Sequence, residues 1–219
     1  GAGRPDAVRV LEQAKRYLTD PRVLKTVVLR DPMERLVSAY VDKCVAKPFG
    51  LRDWKKHCLG AKEHARRVKK DPEEEVFGWY VTQQVEPHVT ESRDAGTSAN
   101  PHYRPQHVFC GRLRHSIGYY APPILQNTTA SEQVHRLFTH RHGVVHSALL
   151  KAFPLTGHSV HSTGSAQKVA LYYRNNHTLE AALRIYADDY LFLPIPIPDW
   201  LLARGYDRAA IELLVQNRP

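Results

Sequence analysis

A junction between a short apolar run and a helix-start signal constrains the fold of this chain more than any other part of its sequence. Leu24–Leu29 has the sequence LKTVVL, a β-branched run typical of a buried strand. Asp31 is a favourable N-cap residue, and Pro32 suits the first position of a helix. We therefore predict a buried strand that ends at Arg30, followed by a helix from Pro32 to about Ala46. The inner face of this helix should carry Met33, Leu36, Val37 and Tyr40.

Helical periodicity dominates the rest of the chain, whose 219 residues suit one domain with room for a minor subdomain. We predict a helix from Asp6, its cap, to Thr19, and mainly helical structure over residues 50–90. Further helices are expected over residues 131–140 with Ser131 as cap, 165–174, 178–193 and 207–216.

Turn residues and β-branched runs predict the remaining segments. A strand is expected within residues 107–120, at either 108–110 or 116–119. Residues 91–105 and 154–165 are rich in turn-forming residues and predict loops. The alternating prolines Pro194, Pro196 and Pro198 predict an extended segment.

The formal net charge of +9, with 13 histidines in addition, indicates an anionic partner. Nucleic acid, acidic lipid, an acidic glycan and a phosphorylated nucleotide are all candidates on charge alone. The densest basic cluster, within residues 66–70, is followed at once by acidic residues, which is typical of a solvated helix face. The sequence has no RNP aromatics and no recognition-helix pattern, which disfavours a nucleic-acid-binding domain.

The three cysteines, Cys44, Cys58 and Cys110, have no CxxC or zinc-type spacing and allow either one disulfide with a free thiol or three thiols. No H-x-x-x-H with an acidic partner is present, so we expect no metal. No apolar run approaches the length of a transmembrane helix, and no signal peptide is present, so any anchor is expected outside this chain. The sequons Asn127–Thr129 and Asn176–Thr178 give weak support for a secretory route.

Arg30 and Ser38 form a candidate phosphate site. In open α/β sheets, ligands lie beyond the carboxyl ends of the strands, where Arg30 is expected. Its guanidinium offers a planar fork of donors suited to phosphate, and Ser38, in the second turn of the following helix, adds a hydroxyl. The alternative is a salt-bridged surface arginine beside a solvent-facing serine.

The string RDPMERLVSAY, Arg30–Tyr40, closely resembles the 3′-phosphate-binding motif of Golgi carbohydrate sulfotransferases. It is most similar to the branch that includes the chondroitin and dermatan 4-O-sulfotransferases and the HNK-1 sulfotransferase. Asn100–Pro105, followed by Cys110, is similar to the family's N-x-H-W-R-P…C segment, with Tyr103 where many relatives have Trp.

Two later segments are similar to the family in the family's order. Ile117–Tyr120 matches the position of its I-G-K-Y/F, and Val169–Phe192 resembles its closing IY-x-x-D-(F/Y) signature. The family's C-x-x-C pair has only one cysteine here, because Leu113 stands at the second position. The resemblance spans about residues 7–193.

The resemblance implies an α/β sulfotransferase fold, with a P-loop-like parallel sheet flanked by helices. It implies PAPS (3′-phosphoadenosine-5′-phosphosulfate) as the sulfuryl donor, PAP as its product, a glycan hydroxyl as acceptor and no metal. In the family an Arg and a Ser of the motif hold the 3′-phosphate, roles that map onto Arg30 and Ser38. Arg35 also matches the motif, and its alternative is a structural pair with an acidic neighbour such as Asp31.

The family's 5′-phosphosulfate loop, P-K-x-(A/G)-x-(S/T), is not found in this sequence. We expect it upstream of Gly1, so that residues 1–219 form a single sulfotransferase-like domain, N-terminally truncated. The loop carries the Lys that stabilises the leaving phosphate, so this chain alone is expected to be impaired in turnover. A non-catalytic relative that binds nucleotide or anionic glycan is therefore the main alternative.

Sulfuryl transfer needs a general base near neutral pKa, which favours histidine. His102, in the segment similar to H-W-R-P, is our candidate base, and Arg104 is our candidate ligand for a carboxylate or sulfate of the acceptor. Lys168 is a candidate third contact to the 3′-phosphate.

Other residues are assigned lesser or structural roles. The alternative bases are His107, His158 and His161, whereas His140 and His142 are read as structural at a helix end. The tyrosines at helical spacing, Tyr172, Tyr173, Tyr186 and Tyr190, predict core packing. The family further implies a Golgi-lumenal, type II membrane glycoprotein.

Overall fold

The computed structural model describes residues 7–45, 58, 73–91, 101–126, 130–142, 147–154 and 165–217. Its elements, in chain order, are α1 (Ala7–Thr19), β1 (Val28–Leu29), α2 (Pro32–Tyr40), α3 (Glu73–Tyr80), α4 (Glu86–Glu91), α5 (Phe109–Ser116), β2 (Ile124–Leu125), α6 (Ala130–His142), α7 (Ser147–Ala152), α8 (Ser165–Tyr172), α9 (Asn176–Phe192), α10 (Asp199–Leu202) and α11 (Arg208–Gln216). The described part of the chain is mostly helical with one small parallel sheet, which is compatible with the expected α/β class.

The chain divides into two compact units, one of residues 1–29 with 111–155, the other of residues 30–110 with 156–219. The expectation of a single domain stays a prediction. In the part of the chain that is described, no helix is both long and apolar enough to cross a membrane.

The first unit contains the parallel pair β1 and β2, in which Val28 lies opposite Ile124 and Leu29 opposite Leu125. The predicted strand over residues 24–29 is wrong in length, because only its last two residues pair as a strand. Its earlier residues make isolated bonds: Lys25 accepts from the amide of Ala121 (2.7 Å) and Val27 from Ile124 (3.0 Å). Burial is also one-sided, since Val28 is 51% exposed and Leu29 only 1%.

Helix α2 begins as its sequence predicts. Asp31 Oδ1 accepts a hydrogen bond from the amide of Glu34 at 2.7 Å, and Pro32 occupies the first turn. The four apolar residues of the predicted inner face are all buried. The α-helix is shorter than predicted, because a π-helical turn, Val41–Val45, follows Tyr40; Ala46 lies outside the described residues.

An aromatic core joins the helices of the second unit. Phe77 of α3 contacts Tyr40, with ring centroids 5.2 Å apart, and Tyr173, with centroids 5.3 Å apart. Tyr173 in turn stacks on Trp200 at 5.8 Å. The prediction that the four C-terminal tyrosines pack in the core is confirmed, because Tyr172, Tyr173, Tyr186 and Tyr190 are all buried.

Helices α3 and α4 are joined by a π-helical turn, Val81–Val85, in a continuous helical run. The turn directly precedes the segment containing Pro87, which cannot donate a backbone hydrogen bond and crowds the preceding turn. Helical structure is therefore confirmed for residues 58 and 73–90, and the rest of the predicted stretch lies outside the described residues.

The strand predicted within residues 107–120 is wrong. Residues 106–108 form a 3₁₀ turn, α5 follows, and residues 117–119 form a second 3₁₀ turn. The reason is tertiary: the buried carboxylate of Asp189 accepts the backbone N–H groups of Gln106 and His107, both at 2.8 Å. It satisfies donors that a helical start leaves unpaired, and so stabilises helical over extended backbone.

The remaining helix predictions are largely confirmed. Helix α6 begins at Ala130, so Ser131 lies inside its first turn and is not its cap. Helices α8 and α9 lie where two helices were predicted, and Asp207 caps α11 through the amide of Ala210 at 2.9 Å. Residues 194–198 are without regular structure, as their prolines predict. Asp6 and the loop residues 92–100 and 155–164 lie outside the described residues.

Candidate functional site

The backbone of Arg30, which directly follows β1, is held by the side chain of Gln106. Gln106 Oε1 accepts from the Arg30 amide at 3.0 Å, and Gln106 Nε2 donates to the Arg30 carbonyl at 2.7 Å. We call this pair of bonds the Gln106 clamp. It replaces the ladder bonds of a further strand residue, because a side-chain amide presents a donor and an acceptor side by side. The position of Arg30 is thus set by a residue far away in sequence.

The Arg30 guanidinium lies in a cluster with Glu34 and Ser165, which we call the Arg30 cluster. Arg30 Nη2 donates to Glu34 Oε1 and to Ser165 Oγ, both at 2.6 Å. The Ser165 hydroxyl also donates to Glu34 Oε1, at 3.1 Å. The Nε atom of Arg30 is buried and has no hydrogen-bond partner among the described residues. The cluster therefore already holds one anionic oxygen and retains an unused donor.

The other two predicted phosphate ligands lie on the helices that form this cluster. Ser38 is partly buried on α2, one turn after Glu34, and residues four apart are neighbours on a helix surface. Lys168 is exposed on α8, three residues after Ser165 and on the same side of that helix. The elements thus bring Ser38 and Lys168 to the two helices that flank Arg30, although their roles stay predictions.

Asp31, the next residue, has a second contact besides its capping bond. Tyr190 of α9 donates its hydroxyl to Asp31 Oδ2 at 2.6 Å. Burial raises the pKa of the Asp31 carboxyl, and the hydrogen bonds from Tyr190 and the Glu34 amide only partly oppose that effect. Burial also raises the pKa of the Tyr190 hydroxyl well above its usual value, with the charge of Asp31 adding to the effect.

Asp189 of α9 is completely buried and uses both carboxylate oxygens. Its Oδ2 accepts from the Gln106 amide, and its Oδ1 lies 2.8 Å from the His107 amide and 2.7 Å from His107 Nδ1. His107 Nε2 lies 3.7 Å from Asp188 Oδ2. His107, an alternative base in the sequence analysis, is therefore buried between two acidic residues of α9.

His102 and Arg104 lie in a turn over residues 101–104 whose backbone is held from two sides. Tyr186 of α9 donates its hydroxyl to the Tyr103 carbonyl at 2.7 Å. Arg35 donates to the Pro101 carbonyl at 3.2 Å and also to the carbonyl of Arg104. The suggested pairing of Arg35 with Asp31 is wrong, because Arg35 contacts this turn and Asp31 contacts Tyr190.

The side chains of the turn differ in exposure. His102 is exposed, and Arg104 is partly exposed. The guanidinium carbons of Arg104 and Arg35 lie 5.7 and 5.6 Å from the centre of the Phe109 ring. Such contacts orient both cations, since an aromatic face attracts positive charge.

Several residues of this site were not predicted from sequence. Glu34 could have been predicted from its spacing, because a carboxylate four residues after Arg30 favours an ion pair. The contacts of Ser165, Gln106 and Asp189 could not be read from sequence spacing, since their partners lie 76 to 135 residues away. His158 and His161 lie outside the described residues, as do the side chains of His140 and His142 at the end of α6.

No cluster of three or more His, Cys, Asp or Glu side chains that could hold a metal occurs among the residues that the structure describes. The described cysteines Cys44 and Cys58 form a disulfide. The candidate site itself offers guanidinium, hydroxyl and imidazole groups, which bind and orient anions and move protons.

A comparison with protein families places most of this chain in one of them. The family described as "Sulfotransferase family" matches residues 6–194. The matched span includes α1 to α9 and therefore all the site residues described above. No curated protein and no solved structure matches the chain.

Proposed function

The chain belongs to the sulfotransferase family, and on that premise we propose that it transfers a sulfuryl group from PAPS to a hydroxyl of a carbohydrate acceptor. The observation that carries this proposal is the Arg30 cluster. It lies in the string that resembles the 3′-phosphate-binding motif, and its guanidinium already holds an anionic oxygen together with a serine hydroxyl.

In this proposal Arg30 and Ser38 bind the 3′-phosphate of PAPS, with Lys168 as a third contact. Arginine suits this role because its planar fork matches the spacing of phosphate oxygens. The unused Nε of Arg30 supplies a donor within the same fork. Ser165 adds a hydroxyl at the first turn of α8, where the helix dipole favours a negative group.

The transfer is an in-line displacement, which resembles phosphoryl transfer. The acceptor oxygen forms a bond to sulfur, the bond from sulfur to the bridging phosphate oxygen breaks, and PAP leaves with the electron pair. His102 takes the proton of the acceptor hydroxyl, because an exposed imidazole can change protonation near neutral pH. Arg104, oriented on Phe109, binds an acidic group of the glycan.

The proposal extends to architecture and compartment. The parallel pair β1 and β2 is what an edge of a P-loop-like sheet flanked by helices would contain. The Cys44–Cys58 disulfide supports an oxidising compartment such as the Golgi lumen, since cytosolic thiols are kept reduced. Asn176 of the second sequon is exposed at the start of α9. Membrane attachment, as in the resembled family, would lie outside the described helices.

Thermal unfolding with and without PAP tests the donor site. Ligand at about 100 times its dissociation constant should add about 2.7 kcal/mol to the free energy of unfolding. Arg30→Ala should abolish this gain. Arg208→Ala is the matched control, because Arg208 also pairs with a glutamate four residues on, yet lies on an exposed surface.

If PAP raises the free energy of unfolding equally in wild type and in Arg30→Ala, or raises it in neither protein, the proposed 3′-phosphate site is refuted. Turnover is tested separately, by release of PAP from PAPS in the presence of desulfated glycans. Binding of PAP without turnover, in a chain that includes the 5′-phosphosulfate loop, would instead indicate a non-catalytic nucleotide-binding relative.

A further inference from the structure

Three residues on one face of α9 make hydrogen bonds to the segments that form the proposed site. Asp189 and Tyr190 lie three and four residues after Tyr186, so both are its neighbours on one side of the helix. All three are buried, and each uses its polar group on a segment distant in sequence. We call this set the α9 platform.

The contacts of the platform fall on consecutive parts of the site. Tyr190 holds Asp31 directly, at 2.6 Å. Asp189 holds the amide of Gln106, whose side chain forms the clamp on both backbone groups of Arg30. Asp189 and Tyr190, which are adjacent on α9, thus determine the positions of the adjacent residues Arg30 and Asp31. Tyr186, one turn earlier, holds the Tyr103 carbonyl in the turn that carries His102 and Arg104.

We infer that Gln106, fixed by Asp189, is a positioning residue that aims the Arg30 guanidinium at the 3′-phosphate. This inference rests on the proposed function, because it names the residues that make its phosphate site selective. Gln106 does not itself reach the ligand: both polar atoms of its side chain are used by the Arg30 backbone.

Breaking the Gln106 clamp would cost free energy, because its groups are buried. Gln106 is 7% exposed and Asp189 is fully buried, so breaking either contact leaves polar groups without water. Because Arg30 lies just beyond the last strand residue, its backbone depends on the clamp for the bonds that a longer strand would supply. Losing one well-aligned bond between the guanidinium and a phosphate lowers affinity about tenfold or more, because hydrogen bonds to charged groups are strong.

The same chain offers a matched control for this clamp. Gln133 of α6 holds Leu125 of β2 in the same way, with its Oε1 2.9 Å from the Leu125 amide and its Nε2 3.2 Å from the Leu125 carbonyl. Replacing either glutamine by methionine keeps the length of the side chain and removes both bonds. The two variants therefore break equivalent clamps, only one of which acts on Arg30.

The test compares the affinities of PAP and AMP, which differ by the 3′-phosphate. Titration calorimetry on wild type, Gln106→Met, Gln133→Met and Arg30→Ala gives the PAP-to-AMP affinity ratio of each, with circular dichroism to verify folding. We expect Gln106→Met to lower the PAP-to-AMP affinity ratio about tenfold or more, by weakening the binding of PAP and not that of AMP. Gln133→Met should keep the wild-type ratio. Asp189→Asn, which replaces one acceptor of the platform by a donor, should lower the ratio as Gln106→Met does.

The outcomes separate this inference from the proposed function. If wild type binds PAP no better than AMP, the 3′-phosphate site itself is wrong and the inference fails with it. If Arg30→Ala loses the discrimination but folded Gln106→Met keeps it, the site stands and the positioning role is refuted. Equal weakening of PAP and AMP by Gln106→Met would show a purely structural role and would also overturn the inference. Should Gln106→Met not fold, Gln106→Glu, which retains the acceptor for the Arg30 amide, decides by the same ratio.

Discussion

Glu34 Oε1 lies 2.6 Å from Nη2 of Arg30, so the guanidinium proposed to bind a phosphate already has an anionic partner in its own chain. The two side chains are 18% and 21% exposed, so their charges are only partly screened by water. A phosphate that approaches Arg30 therefore gains the attraction of the guanidinium and meets the repulsion of the carboxylate. The balance between this attraction and this repulsion sets the affinity of the site for phosphate.

Glu34→Gln should strengthen PAP binding about three- to tenfold, because it removes this repulsion and keeps an acceptor for Arg30 and Ser165. Calorimetric titration at low ionic strength measures the effect, since salt screens it. Glu212→Gln is the control, because it removes a carboxylate from the exposed i,i+4 pair with Arg208. Weaker binding by Glu34→Gln would show that the carboxylate serves mainly to orient Arg30.

Asp31→Asn should stabilise the protein relative to wild type as the pH rises from about 4. The folded-state pKa of Asp31 is raised, so the stability that its protonated form contributes is present below the unfolded pKa. It is lost as the pH rises through the folded pKa. Asparagine caps a helix equally well, and the Tyr190 hydroxyl can accept from its amide.

Urea unfolding of wild type and Asp31→Asn between pH 3.5 and neutral, spanning roughly the range in which a carboxyl titrates, measures this difference. Asp207→Asn is the control, because Asp207 caps α11 through the same i+3 amide but is exposed to solvent. A difference between wild type and Asp31→Asn that shrinks with rising pH would contradict the direction of the pKa shift.

Gly78→Ala should lower stability by about 1–2 kcal/mol, although alanine is the better helix former. A Cβ atom on Gly78 would lie 2.7 Å from Oγ1 of Thr178, a buried and β-branched side chain that cannot rotate away freely. Gly118→Ala, where a Cβ meets nothing within 4 Å, should be nearly neutral. The cost of Gly78→Ala should shrink in a Thr178→Ala background, and thermal melts that show no such coupling would rule out the clash.

Reduction of the Cys44–Cys58 disulfide should destabilise the protein by about 2–3 kcal/mol, because it frees a loop whose ends are 14 residues apart. Melts with and without a reductant measure the change, and Cys44→Ala/Cys58→Ala should melt alike in both conditions. Alkylation of the unfolded chain should label one of the three cysteines before reduction and all three after it. Labelling of three cysteines without reductant would exclude the disulfide.

The features that local chemistry controls were predictable from sequence. The start of α2 follows from Asp31 and Pro32, which act within one turn of themselves, and its buried face follows from the spacing of its apolar residues. The cap and extent of α11 and the irregular prolines before it follow in the same way. Where the outcome depended on a partner, the predictions were wrong: residues 24–27 do not pair as a strand, and residues 109–116 are helical.

The sequence by itself determined which residue types stand at the end of β1, and its resemblance to a sulfotransferase motif pointed to Arg30. Only the tertiary structure decided what surrounds that guanidinium. Ser165 reaches the guanidinium across 135 residues of sequence, and Asp189 acts on the Arg30 backbone through Gln106. The physical reason is that hydrogen bonds act over about 3 Å in space, whatever the separation along the chain. Sequence periodicity describes each helix face, and only packing determines which faces meet.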